Sequence, residues 1–168
     1  MNAWILAGGL SSRFGSDKAV YPVEGVLLAI RIATVLREAG LMPRLVARHA
    51  RGLGLPELIE PEGPRHPLHG VATALAWEAR QDPAAPLAFF TPCDLVDLDV
   101  AQVRALQRGG PIVALGQPLL GILPVDWADR AAAWATSGRS VHSFVNDVPV
   151  VDLGLVHNLN RPGCDLSR

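Results

Sequence analysis

Short apolar runs alternate along this chain with longer stretches of helical periodicity, and Gly and Pro mark most of the joins. Ala3–Ala7 is a continuous apolar run cut off by Gly8-Gly9, which predicts a short buried strand followed by a polar loop reaching Lys18. From Val26 to Ala39, Leu27, Ile30, Ala33, Val35 and Leu36 fall near helical spacing, and Gly40 suits the end of such a helix. Leu45-Val46-Ala47 predicts a second strand over Arg44–His49, and Leu58-Ile59 a third, very short one. His69 to Arg80 reads as a helix, with Val71, Ala74, Leu75 and Glu78 at helical steps. Leu87–Thr91 is an unbroken apolar run ending at Pro92 and predicts a strand. Val100 to Arg108 returns to helical spacing and stops at Gly109-Gly110. Pro111–Leu115 and Leu119–Leu123 read as strands joined by a turn at Gly116-Gln117-Pro118. Asp126–Ala135 and Val141–Val145 then read as helices, and Val148–Leu155 as a last strand.

Strands of this length separated by helices predict a three-layer α/β/α sandwich, Rossmann-like, around a mostly parallel sheet. Sheets of that kind bind ligands in the crevice beyond the carboxyl ends of their strands. Chemistry is therefore expected just after Ala7, around Ile59, just after Thr91, and after the later strands.

Composition narrows the picture. The 168 residues fit a single domain spanning 1–168, and no repeat, low-complexity tract or composition shift divides it. A hydrophobic fraction of 49% with only 18% charged residues excludes a disordered chain. A formal net charge of −1 argues against nucleic acid or an anionic membrane as partner, so any polyanion must be met by a local cluster of positive groups. Cys93 and Cys164 are too few for a disulfide framework or a closed Cys-rich zinc site, and are expected as reduced thiols. With no secretory leader or membrane-length apolar segment visible, a cytoplasmic protein is expected.

The loop from Leu6 to Lys18 carries the most chemistry. Glycines at a strand-to-loop junction let the backbone turn sharply and bring its N–H groups close to an anion. Ser11 and Ser12 add hydroxyl donors, Arg13 a planar fork suited to phosphate oxygens, and Lys18 a mobile point charge. A solvated surface loop is the plainer alternative, but two glycines, an Arg and a Lys beyond one predicted strand favour phosphate binding. The spacing matches neither a P-loop, whose Lys directly follows the final Gly, nor the G-x-G-x-x-G dinucleotide fingerprint. Downstream, the Leu87–Thr91 run delivers Asp94 beyond the end of a buried strand. An Asp there either binds Mg²⁺, which takes one or two carboxylates together with substrate phosphates, or caps a turn. Asp97, close by, is placed equally well to cap the helix that begins near Asp99.

The first loop resembles the N-terminal signature of the molybdenum cofactor guanylyltransferases, the MobA family, written LAGGxSxRMGxDKA. Leu6, Ala7, Gly8, Gly9, Ser11, Arg13, Gly15, Asp17, Lys18 and Ala19 match it, with Phe14 in place of Met. Pro92-Cys93-Asp94 matches the family's PCD motif, which implies that Asp94 holds the metal. Pro67-Leu68-His69-Gly70 is similar to its GPLxG segment, with His66 where the first Gly would be; Gly70 can admit a nucleobase or start a helix close to the sheet. Neither His66 nor His69 has a second ligand at metal-binding spacing, so both are expected as polar surface residues. Asn158-Leu159-Asn160-Arg161-Pro162 resembles the NxNTP element, whose amides bind phosphate or pterin or cap a helix. Arg139 and Asp147 fall on predicted loops open to a second substrate.

Three positions depart from the family pattern. Val26 stands where a Lys is usual, Ala47 where Asn is frequent, and Pro61 where an Asp is associated with the guanine nucleotide. Glu60 or Glu62 would replace that Asp after a small shift of register. The resemblance implies the nucleotide-diphospho-sugar transferase type of sandwich. It also implies a Mg²⁺-dependent transfer of GMP from GTP to Mo-molybdopterin, giving molybdopterin guanine dinucleotide and pyrophosphate. Arg13, Lys18 and Asp94 are the implied catalytic groups, and a molybdenum-insertion protein and apo-molybdoenzymes the implied partners. An attacking phosphate monoester is already anionic at neutral pH, so the absence of a Ser-His-Asp or Cys-His arrangement fits such a reaction. Two other functions share these features: a nucleotidyltransferase using CTP or another phosphorylated acceptor, and a non-catalytic nucleotide-binding module.

Overall fold

The structure is a computed structural model, and it describes residues 1–8 and 17–159. Its centre is a seven-stranded sheet built from β1 (Asn2–Leu6), β4 (Met42–Ala47), β5 (Glu57–Ile59), β6 (Leu87–Pro92), β7 (Ile112–Ala114), β8 (Gln117–Pro124) and β9 (Val150–Val151). Strand order is β5-β4-β1-β6-β8-β7-β9. Neighbours pair in parallel except across β8, which runs antiparallel to both β6 and β7. The mostly parallel α/β/α sandwich expected from the sequence is therefore what the chain forms.

Residues alternate strictly between the two faces. Ala3 and Ile5 of β1, Leu45 of β4 and Phe89 of β6 pack into one core with helix α1 (Leu28–Glu38) and helix α3 (Val100–Leu106). Trp4, Val46, Ala88 and Phe90 face the other way, against α2 (Pro67–Gln81) and α4 (Ala128–Thr136). Both faces are covered, which is why these strands read as unbroken apolar runs rather than as alternating ones. The buried carboxyl group of Glu78 on α2 accepts from the Trp4 indole N–H at 2.7 Å and from the Asn2 amide at 3.1 Å.

Several local expectations shift. The helix predicted from Val26 starts at Leu28, because Pro22–Val23 (β2) and Val26–Leu27 (β3) pair as a small antiparallel hairpin. Its turn holds Glu24 at φ +51° and Gly25 at φ +79°, a left-handed pair that suits Gly and strains Glu. The helix expected from Asp126 is preceded by a one-turn 3₁₀ helix, Val125–Trp127. The last strand is two residues long rather than eight. Asp99, not Asp97, caps α3, in a reciprocal capping box with Gln102.

Two further features frame the cleft. A one-turn 3₁₀ helix, Lys18–Val20, is capped by Asp17, whose side chain accepts the Ala19 N–H at 3.1 Å. Residues 157–159 lie as a strap along the loop that follows β6. The Leu159 N–H donates to the Asp94 carbonyl at 2.8 Å, the Val96 N–H to the His157 carbonyl at 3.1 Å, and Asp97 accepts from the His157 backbone at 2.8 Å. Leu28, Val96 and Leu159 close an apolar cluster that ties this strap to the hairpin.

Candidate active site

The carboxyl ends of β1, β5 and β6 converge on one cavity of about 240 Å³. β1 delivers Leu6, Ala7 and Gly8, and β6 delivers Pro92, Cys93 and Asp94. The two segments are held side by side past their strand ends by the Cys93 N–H, which donates to the Leu6 carbonyl at 3.3 Å, while the Ala7 N–H donates to the Val46 carbonyl of β4 at 2.9 Å. Lys18, at the start of its 3₁₀ turn, reaches across to Asp94, Nζ to Oδ2 2.7 Å, with the two side chains 19% and 16% exposed. An ammonium and a carboxylate meeting this closely at a cavity wall form a charge-assisted pair that an incoming polyanion and cation can divide between them.

The opposite wall comes from the loop after β5 and the start of α2. His66 is the N-cap of α2, its ring Nδ1 accepting the Leu68 N–H at 3.2 Å, and Pro67 occupies the first turn. Gly70 lies one turn in, facing Glu60. Glu60 is 8% exposed and lies beside Gly8 as well; a Cβ at residue 8 would overlap its carboxylate, so that backbone must be bare. Burial raises the Glu60 carboxyl above its ordinary value of 4.5, against the opposing pull of Arg48, His69 and Arg51. Arg48 Nε stands 3.8 Å from Glu60 Oε2, too far for a hydrogen bond. Cys93 is buried under the Asp94 loop; burial first, then the charges of Asp94 and Asp17, push its thiol up to about 12. It stays a neutral thiol near pH 7 and supplies packing, not a nucleophile.

Of the residues singled out by sequence, Leu6, Ala7, Gly8, Lys18, Gly70 and Asp94 come together on this cavity. Gly9, Ser11, Arg13 and Asn160 lie outside the described residues. Asn158 sits on the strap, opposite Leu95, with its Oδ1 buried and unpartnered among the described residues. Arg139 stacks 3.7 Å over the Trp134 ring, and Asp147 lies 3.7 Å from Arg130; neither lines the cavity. His69 donates from Nε2 to the Pro61 carbonyl at 3.0 Å. Pro61 thus holds α2 through its backbone where the family pattern has a carboxylate. Arg48 and Arg51 were not legible as site residues, since a basic residue after a strand has no periodic signature.

Among the described residues no group of three His, Cys, Asp or Glu side chains is placed to hold a metal. The single carboxylate of Asp94 instead fits a cation shared with substrate phosphates, the mode typical of Mg²⁺. No helix of the described residues is long and apolar enough to cross a membrane.

The class of protein is a nucleotidyltransferase. The profile of the MobA-like NTP transferase domain matches residues 3–148, and the chain belongs to that family. It is 31% identical to a molybdenum cofactor guanylyltransferase of Rhizobium rhizogenes, over 95% of this chain and 86% of the relative. A second guanylyltransferase, from Rhizobium meliloti, is 33% identical over 85% of this chain and 73% of its own length. The fold is similar to molybdopterin-guanine dinucleotide biosynthesis protein A from Archaeoglobus fulgidus, with a TM-score of 0.69 at 15% identity, covering 90% of this chain and 82% of that one. It is also similar to 2-C-methyl-D-erythritol 4-phosphate cytidylyltransferase from Thermus thermophilus, with a TM-score of 0.65 at 17% identity over 96% and 93%.

Proposed function

We propose that this protein transfers GMP from GTP to the terminal phosphate of Mo-molybdopterin, releasing pyrophosphate, with Mg²⁺ as its metal and the cytoplasm as its location. The observation that carries this reading is the placement of Lys18 and Asp94, 2.7 Å apart on the cavity that Gly8 also lines. In the reaction an oxygen of the acceptor phosphate forms a bond to the α-phosphorus of GTP, and the bond from that phosphorus to the bridging oxygen of the leaving pyrophosphate breaks. The attacking group is an anion already, so the protein's task is to hold two polyanions in line and to stabilise charge on the leaving group. Gly8 lines the cavity with bare backbone, its side-chain space taken by the Glu60 carboxylate, and Lys18 offers its ammonium to the phosphates. Arg13, from the same loop, is assigned to them as well. Asp94 would hold the Mg²⁺, which when bound supplies Lewis-acid neutralisation of the phosphate oxygens.

Glu60 supports guanine as the base. An ionised carboxylate accepts from two donors at once, and the N1–H and N2–H₂ edge of guanine offers that pair, whereas cytosine offers only one donor on its pairing edge. Pyrophosphate release with GTP and molybdopterin, run in parallel with CTP, tests the reading. Lys18→Ala and Asp94→Ala are each expected to lower turnover by about 10²–10³ with the fold intact. Turnover like wild type in either variant removes that residue from the mechanism, and a preference for CTP moves the enzyme to the cytidylyl class.

A further inference from the structure

Arg51 lies behind the cavity rather than on its wall, and its side chain is only 12% exposed. Its Nη2 donates to the Ala7 carbonyl at 3.2 Å, and its Nε lies 2.5 Å from Asp17 Oδ2. Its Nη1 donates to the His49 carbonyl. Its own backbone is anchored in turn, the Arg51 N–H donating to Glu57 Oε2 at 2.7 Å. One guanidinium thus grips the chain at the residue before Gly8 and again at the residue before Lys18. Nη1 and Nη2 each donate to a carbonyl, while Nε meets the Asp17 carboxylate as an ion pair without hydrogen-bond geometry; the planar fork is what lets one side chain reach a carbonyl and a carboxylate together.

We infer that Arg51 is a positioning residue for the transfer, fixing Gly8 and Lys18 relative to Asp94 by tying Ala7 to Asp17. This rests on the reading of the cavity as the triphosphate site. Lys18 follows directly on the tethered Asp17, so a loosened Asp17 shifts the ammonium away from its place opposite Asp94. A displacement near 1 Å in such a site costs on the order of 10² in rate. Lysine at position 51 keeps a charge for Asp17 but cannot also serve the Ala7 carbonyl.

The test compares wild type, Arg51→Ala, Arg51→Lys, Asp17→Asn and the Ala/Asn double variant. Calorimetry with Mg²⁺ and inorganic tripolyphosphate reads the phosphate site without a base. Pyrophosphate release from GTP and molybdopterin then gives kcat and KM. Expected are a loss of about tenfold or more in tripolyphosphate affinity for Arg51→Ala and Asp17→Asn, with partial recovery in Arg51→Lys. The double variant should be no worse than either single change, because both cut the same tie. A lowered thermal midpoint with affinity and kcat of wild type would make Arg51 merely structural and overturn the inference. If Arg51→Ala fails to fold, Arg51→Lys and Asp17→Asn decide by the same readings. A wild type that binds tripolyphosphate but does not turn over GTP with molybdopterin defeats the proposed substrate and leaves the affinity series to settle Arg51. Absence of tripolyphosphate binding in wild type defeats both.

Discussion

Lys18 sits against Asp94, with its Nζ 2.7 Å from Oδ2, and on the proposed mechanism the same carboxylate would hold the divalent cation. An ammonium so placed would compete with that cation for the carboxylate, and the phosphates of a bound nucleotide would compete for the ammonium. Lys18→Met is therefore expected to bind Mn²⁺ without nucleotide several times more tightly than wild type, while losing affinity for the metal–nucleotide complex. Titration of Mn²⁺ by electron paramagnetic resonance checks this, and an unchanged affinity would mean that the pair does not guard the carboxylate. Glu60 makes a different prediction. Its folded pKa lies above its ordinary value of 4.5, so the native state holds a proton that the unfolded chain releases first. Stability is complete below about 4.5 and declines as pH rises through the folded value. Glu60→Gln removes that loss, so the variant should melt higher than wild type at pH 7 and show no such advantage near pH 4. Thermal melts at the two pH values are sufficient, and an advantage that is equal at both would place its origin outside ionisation. These residues were unequally legible in the sequence. Lys18 and Asp94 stand in a glycine-bearing loop and directly after a buried strand, where the chemistry of the site predicts them. Glu60 was visible only as a neighbour of Pro61, because its burial beside Gly8 and Gly70 depends on three separated segments.

At the scale of elements, long apolar periodicity was legible and short pairing was not. Leu87–Pro92 and Pro67–Gln81 sit within two residues of the predicted bounds, since a strand buried on both faces and a helix of 15 residues each leave a sustained pattern. The β2–β3 hairpin has two residues per strand, too few for any period, and Glu24 is not the Asn or Gly that announces its turn. That misfit is testable. A left-handed conformation costs an ordinary L-residue about 1–2 kcal/mol, much of which Asn is spared. The Glu24–Arg31 ion pair lost on substitution, 2.9 Å long with Glu24 72% exposed, is of the surface kind that contributes roughly 0–1 kcal/mol. Glu24→Asn should thus be neutral to stabilising by about 1 kcal/mol in denaturant unfolding. Clear destabilisation would show that the Arg31 contact outweighs backbone strain, and with it that the hairpin is held to α1 chiefly by charge.

Across the whole molecule, what makes the site is an order of strands that no local pattern contains. β1 lies between β4 and β6, so the loops leaving β1 and β6 emerge side by side, and the one leaving β5 stands two positions from β1 and three from β6. The alternation of strand and helix predicted a parallel sheet with its ligand beyond the carboxyl ends; which ends would be neighbours follows from packing both faces at once. On the proposed reading that arrangement would let a protein of net charge −1 hold a polyanion, with Lys18 on the cavity wall, Arg48 beside Glu60 and Arg51 behind the cavity. It would also link ligand to stability, since on the proposed reading nucleotide and metal bridge loops from three strands, and no such site exists in the unfolded chain. At a hundred times its dissociation constant a ligand stabilises the native state by about 2.7 kcal/mol. For a chain of this length that corresponds to an upward shift of roughly 5–10 °C. GTP with Mg²⁺ should produce such a shift, ATP, CTP and UTP smaller ones, and a chelator should remove most of it. If all four nucleotides act alike, recognition stops at the phosphates and Glu60 reads no base. If the chelator has no effect, Lys18 and the backbone alone hold the triphosphate, and Asp94 must then have some other role.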